Sequence, residues 1–314
     1  MTVPTLNHVT CPDSAGSHRM AYWLWGPEDA AHVVVCVHGL SRQGRDFDTL
    51  AQALLVRSPV PLRIACPDVV GRGRSDWLAE PMGYGVPTYV SDMLQMLEHL
   101  QAASPIATLD WVGTSMGGLI GMAICGTPSL PLRVPVRRLV LNDVGPVIQW
   151  RALERIGTYL GRGGKFDTVQ LAADAMWLVS QGFGPHTPEQ WLALSYAMVR
   201  PVQSGGFVLH YDPSIAVPFR TLDEKAANAG QAMLWQMYDA IRARTLLLRG
   251  AQSDLLTAET AREMTRRGPQ ATLVEFEGVG HAPTLIADDQ VEAVASFLLP
   301  TESPPDEKPG LGTG

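Results

Sequence analysis

Six short runs rich in valine, leucine and isoleucine punctuate the chain: HVVVCVHG, LRIACPD, LDWVGTS, RRLVLND, RTLLLRG and ATLVEFEG. Within most of them apolar residues follow one another instead of alternating, as in strands covered on both faces. Strands of that kind separated by helix-length segments read as an α/β domain with a parallel sheet and crossover helices. PTYVSDMLQMLEHLQ and GGLIGMAICG read as two of those helices, the first with Met93, Leu94, Leu97 and Leu100 on one face. The alternation stops between about Gly145 and Arg244, where RALERIGTYLG, TVQLAADAMWLVSQGF, PEQWLALSYAMV and EKAANAGQAMLWQMYDAI succeed one another without a convincing strand. A helical cap inserted into the α/β domain accounts for the break. The expected division is therefore a first core part over residues 1–145, a cap over 146–243, a second core part over 244–300 and a disordered tail over 301–314. The tail, TESPPDEKPGLGTG, holds too little apolar surface to offset its ordering entropy.

A chain of 314 residues, 46% of them hydrophobic, can bury the core such a domain needs. Its formal net charge of -7 offers no basic field for a phosphate backbone, so nucleic acid is not an expected partner. The N-terminal MTVPTLNHVTCPDSAGSHRM has neither a positive n-region nor an apolar h-region, and no apolar stretch is long enough to span a bilayer. A cytoplasmic protein without membrane contact is the expectation. Cys11, Cys36, Cys66 and Cys125 are widely spaced with no C-x-x-C pair, and are read as core thiols in a reducing compartment. Oligomeric state leaves no signature.

Gly113-Thr114-Ser115-Met116-Gly117 follows the strand LDWV and opens the helix GGLIGMAI. This strand–turn–helix setting gives the G-x-S-x-G pattern its meaning, because a nucleophile on so sharp a turn needs flanking residues without a Cβ, and Gly113, Gly117 and Gly118 meet that need. The helix that starts at about Met116 also aims unsatisfied N–H groups at Ser115, favouring negative charge there. Alone, the pentapeptide fits equally a serine that only caps a helix.

Two further loops bear on the choice. His38-Gly39-Leu40-Ser41 directly follows VVVCV, and resembles a His-Gly loop that supplies half of an oxyanion hole; the Leu40 and Met116 amides are then its donors. His38 itself is read as fixing that loop, since no H-E-x-x-H or His/Cys cluster accompanies it to suggest a metal site. Gly278-Val279-Gly280-His281-Ala282-Pro283 places a histidine in a glycine-flanked loop after the last apolar strand, where imidazole can take a serine proton and return it to a leaving group. The acid that should hold the other imidazole nitrogen has two candidates. Asp254, in the loop after RTLLL, is preferred on the chain order Ser, Asp, His; Asp143, at the end of RRLVLND, is the alternative, otherwise a structural carboxylate at the start of the insertion.

Together, HGLSRQGRDFD, DVVGRGRSDW, GTSMGGLIG, RRLVLNDVGP, RGAQSDLL and GVGHAP resemble the α/β-hydrolase superfamily over roughly residues 20–299, and most closely its bacterial esterase-like members. The resemblance implies an eight-stranded, mostly parallel sheet with a cap over the active site. It also implies a cofactor-free serine hydrolase, in which Ser115 attacks a carboxylic ester, polyesters among the candidates, and an acyl-enzyme is hydrolysed in turn. The same residues would serve an enol-lactonase or a meta-cleavage carbon–carbon hydrolase, and the fold also occurs as a non-catalytic ligand receptor. Serine in place of aspartate at the elbow disfavours dehalogenation.

Other motifs fail. Gly71-Arg72-Gly73-Arg74-Ser75-Asp76 begins like a dinucleotide fingerprint but puts Asp76 where a third glycine belongs. Gly161-Arg162-Gly163-Gly164-Lys165 is followed by Phe166 where a P-loop needs Ser or Thr. Arg42 and Arg45 could meet a substrate carboxylate, although surface arginines are more often solvated or paired. Of the bulky residues in the insertion (Trp150, Trp177, Phe183, Trp191, Met198, Tyr211 and Phe219), most are read as core and a minority as facing a ligand.

Overall fold

The computed structural model describes residues 3–299; the tail expected over 301–314 lies outside them. Eight strands form one sheet in the order β1-β2-β4-β3-β5-β6-β10-β11. The six anticipated runs are β3 (His32–Val37), β4 (Leu62–Asp68), β5 (Thr108–Thr114), β6 (Val136–Asn142), β10 (Arg244–Gly250) and β11 (Thr272–Phe276). They are parallel throughout. Every residue of β4 is buried, as continuous apolar runs require when helices cover both faces.

The remaining two strands, β1 (Thr5–Asp13) and β2 (Gly16–Trp25), are an antiparallel hairpin that escaped the sequence reading. β2 pairs antiparallel with β4 and so attaches the hairpin to the parallel core. Its signal is of another kind. In β1, Val9 and Cys11 are buried while Leu6, Thr10 and Pro12 are exposed, an edge-strand alternation too polar to stand out beside runs such as VVVCV.

Helices cover both faces. On one, α2 (Val86–Ala103), α3 (Met116–Gly126) and α8 (Glu224–Ala240) pack on the sheet, and Met93, Leu97 and Leu100 of α2 are buried as the helical spacing predicts. On the other, α1 (Asp48–Arg57) and α9 (Asp288–Leu298) enclose Phe47, Leu50, Leu54, Val294 and Leu298. Each such side chain contributes about 1.5–3 kcal/mol by leaving water.

Between β6 and β10 the chain leaves the sheet through α4 (Trp150–Tyr159), α5 (Val169–Ser180), α6 (Pro188–Tyr196) and α7 (Ala216–Thr221), before returning along α8. The expectation of an all-helical insertion needs correcting. β7 (Lys165–Phe166), β8 (Val199–Pro201) and β9 (Phe207–Leu209) form a separate three-stranded sheet in the order β7-β9-β8. Strands of two or three residues carry no readable periodicity, which is why they were missed.

Candidate active site

The turn from β5 into α3 holds Ser115 at φ 51°, ψ -115°, in the left-handed region that L-residues seldom occupy. The turn closes only because its neighbours lack a Cβ. A Cβ on Gly113 would lie 2.3 Å from the Gly117 carbonyl oxygen, and one on Gly117 would lie 2.0 Å from the Val37 carbonyl oxygen. The same close approach brings the loop after β3 against the elbow.

His281, in the loop after β11, reaches Ser115 with Nε2 3.0 Å from Oγ. Its Nδ1 lies 2.7 Å from Oδ2 of Asp143. The acid position therefore belongs to Asp143, and the preference for Asp254 is corrected. Asp143 is fully buried at the end of β6, with φ 55°, and also accepts from the Gly250 N–H at 2.9 Å and the Ser253 hydroxyl at 2.6 Å. Three donors thus converge on one carboxylate. Asp254 is exposed and turned the other way, bound by Nε and Nη2 of Arg155 at 2.7 and 3.0 Å. The loop after β10 brings a hydroxyl donor for the acid where the acid itself was expected, because Ser253 points inward and its neighbour points out. Asn142 further ties the parts together, donating from Nδ2 to Thr114 Oγ1 at 3.0 Å and to the Pro283 carbonyl at 2.8 Å.

The oxyanion loop is fixed by two residues of different kinds. His38 is fully buried: its Nδ1 sits 2.7 Å from the Gly39 carbonyl and its Nε2 accepts the Val69 N–H at 3.0 Å, which defines the neutral tautomer. Burial pushes its pKa down to about 3. The reading of His38 as a loop-fixing residue agrees with these bonds. Arg72, which the sequence showed only as part of a failed fingerprint, is also fully buried. It donates to the Leu40 carbonyl at 2.8 Å, the Val70 carbonyl at 2.7 Å and the Tyr89 hydroxyl at 3.0 Å. Its hold on Leu40 sets the orientation of the peptide that follows the expected oxyanion donor. Among the described residues neither the Leu40 nor the Met116 N–H donates to another protein group.

Ser115 and His281 open on a cavity of about 240 Å³ between sheet and insertion. Its apolar walls include Ile156, Tyr159, Phe166, Met176, Val179 and Phe183, with Met198 and Tyr211 also lining it. Of the bulky residues singled out in the sequence, Phe183, Met198 and Tyr211 face the cavity. Trp177 and Trp191 instead pack on each other within the insertion, ring centres 5.0 Å apart. Arg45 is held by Asp48, and Arg42 by Asp46 through two bonds of 2.7 Å.

The chain matches the Alpha/beta hydrolase family over residues 34–297. It is 48% identical over 298 residues to the 3-hydroxybutyrate-oligomer hydrolase of Cupriavidus necator, covering 94% of this chain and 98% of that protein. Among solved structures, a putative hydrolase from Rickettsia typhi is similar with a TM-score of 0.81 and 28% identity, over 94% of this chain and 98% of that one. An alpha/beta hydrolase from Novosphingobium aromaticivorans is similar with a TM-score of 0.80 and 32% identity, over 95% and 99%.

Proposed function

The chain belongs to the alpha/beta hydrolase family and is a hydrolase of ester bonds, and from that premise we propose that it cleaves short oligoesters of a 3-hydroxy acid with Ser115 as nucleophile. The reading is carried by the hydrogen-bonded line from Ser115 Oγ through His281 to Asp143, opening on a largely apolar cavity. The 48% identical relative, named for 3-hydroxybutyrate oligomers, supports the substrate class.

In this mechanism Ser115 Oγ attacks the ester carbonyl while His281 Nε2 takes its proton. Asp143 keeps the proton on Nδ1 and stabilises the imidazolium that forms. The Leu40 and Met116 amides receive the oxyanion; fixed, uncharged donors need no reorganisation as charge develops. The imidazolium then protonates the departing alcohol oxygen, the hydroxy-acid end leaves, and water activated by His281 releases the acyl group from Ser115. The elements of water are consumed, one acid and one alcohol are produced, and no redox change occurs. A serine, an imidazole and a buried carboxylate aligned in this way argue against a non-catalytic ligand receptor.

The test is to incubate the purified protein with 3-hydroxybutyrate dimer and trimer and follow release of the monomer. Turnover of the oligomers that disappears in Ser115→Ala is the expected result. Turnover of p-nitrophenyl acetate with none of the oligomers would overturn the substrate assignment.

A further inference from the structure

We propose that the cavity over Ser115 contains a carboxylate subsite at Arg162, so that the preferred substrate is an ester carrying a free carboxylate at one end. The inference rests on the ester-hydrolase reading above and narrows it. An oligomer of a hydroxy acid has a hydroxyl at one end and a carboxylate at the other, and the protein must tolerate or use that charge.

The protein as a whole is acidic, with a net charge of -7. Its cavity is the reverse: Arg42, Arg155 and Arg162 line it, and no aspartate or glutamate does. Two of the three arginines have carboxylate partners just outside the lining, Arg42 with Asp46 and Arg155 with Asp254. Among the described residues, Arg162 has none. It is exposed at the solvent edge of the cavity, three residues past the end of α4. Gly161 makes that placement possible. With φ +72° it turns the chain at the end of the helix, and a Cβ there would lie 2.6 Å from the Pro213 carbonyl oxygen.

An exposed arginine is ordinarily just hydrated. What separates this one is its position in a lining that holds no aspartate or glutamate, where the other two arginines are already engaged by Asp46 and Asp254. A planar guanidinium with a free fork matches a carboxylate through two parallel N–H···O bonds. The cavity is also small, about 240 Å³, so a short oligomer with its ester at Ser115 keeps its charged end within reach of the edge.

The experiment compares kcat/KM for cleavage of the ester between the two units of the 3-hydroxybutyrate dimer, as free acid and as its neutral primary amide, on wild type, Arg162→Gln and Arg162→Lys. A charge-assisted contact of this type predicts a wild-type preference for the acid of about tenfold. That preference should collapse toward one in Arg162→Gln through a higher KM for the acid, and return in part in Arg162→Lys. Equal wild-type rates, or a preference that survives in Arg162→Gln, would overturn the subsite. If neither dimer is cleaved while p-nitrophenyl acetate is, the oligoester reading has failed by itself. The subsite is then judged by inhibition of p-nitrophenyl acetate hydrolysis. Stronger inhibition by 3-hydroxybutyrate than by its neutral primary amide, in wild type and not in Arg162→Gln, sustains it; equal inhibition overturns it.

Discussion

Asp143 and Asp254 differ by what surrounds them, and only the folded chain displays the difference. Asp143 is fully buried and receives a backbone N–H, a hydroxyl and the His281 imidazole. Asp254 has only an exposed ion pair with Arg155, whose side chains are 41% and 47% accessible for Arg155 and Asp254 respectively, an arrangement worth about 0–1 kcal/mol. Asp143→Asn should therefore lower kcat on p-nitrophenyl acetate by about four orders of magnitude, since an amide facing Nδ1 favours the wrong tautomer. Asp254→Asn should leave kcat within severalfold of wild type. Stopped assays on the two purified variants decide the matter, and a larger loss in Asp254→Asn would refute the assignment. The sequence made Ser115 and His281 legible because each sits among glycines that only a tight loop requires. The acid has no such frame: both candidates end or follow an apolar strand, and choosing between them takes side-chain direction, which one residue of offset between Ser253 and Asp254 reverses.

The loop that follows β3 owes its form to groups that no local motif announces. Arg72 reaches it from the turn after β4, and His38 bonds forward to Gly39 and across to Val69. The motif GRGRSD was visible, but as an imperfect copy of something else; its meaning lies in contacts with residues more than thirty positions away. His38 makes the loop's contribution measurable. Unfolded, it takes a proton as pH falls through about 6.5; folded, burial keeps it neutral down to about 3. Its contribution is complete above the unfolded value and is lost as pH falls between the two, by about 1.4 kcal/mol per pH unit once well below 6.5. Asp68, pushed up to about 6 by burial, acts in the opposite direction over part of that range, so the useful quantity is a difference between proteins. Urea unfolding of wild type and His38→Asn, which retains a donor toward Gly39, should show wild type losing about 1.4 kcal/mol more than the variant for each unit between pH 6 and 4.5. Parallel pH profiles would mean that His38 can charge in the folded state.

At the scale of the whole molecule, the insertion is joined to the sheet from both sides of the cavity. The Gly280 N–H donates to Gly182 at 2.6 Å and His186 Nε2 lies 2.9 Å from Thr284 Oγ1, tying the insertion to the His281 loop. On the opposite side, the Gly73 N–H donates to His210, the Asp212 N–H donates to Gly71, and the Tyr84 hydroxyl donates to Asp212 at 2.6 Å. That the insertion would cap the site was legible from the interrupted alternation. Which of its aromatics would face substrate was not, since helical spacing alone cannot tell a face turned to the cavity from one turned to another cap helix. The division has a consequence for specificity. Trp191 is buried against Trp177 and Phe183 and lies outside the cavity lining, whereas Leu209 of β9 lines it. Trp191→Ala should cost about 3–5 kcal/mol of stability, as large buried aromatics do, while leaving the dependence of kcat/KM on acyl length in place. Leu209→Ala should do the reverse. It opens room at the cavity wall, and each further methylene then accommodated adds about 0.8 kcal/mol, roughly fourfold in kcat/KM, so the optimum moves to longer chains. The measurement is a series of p-nitrophenyl esters from acetate to octanoate on wild type and both variants, at a temperature where all three are folded. A shifted optimum in Trp191→Ala, or an unmoved one in Leu209→Ala, would show that the acyl chain follows a different wall from the one Leu209 forms.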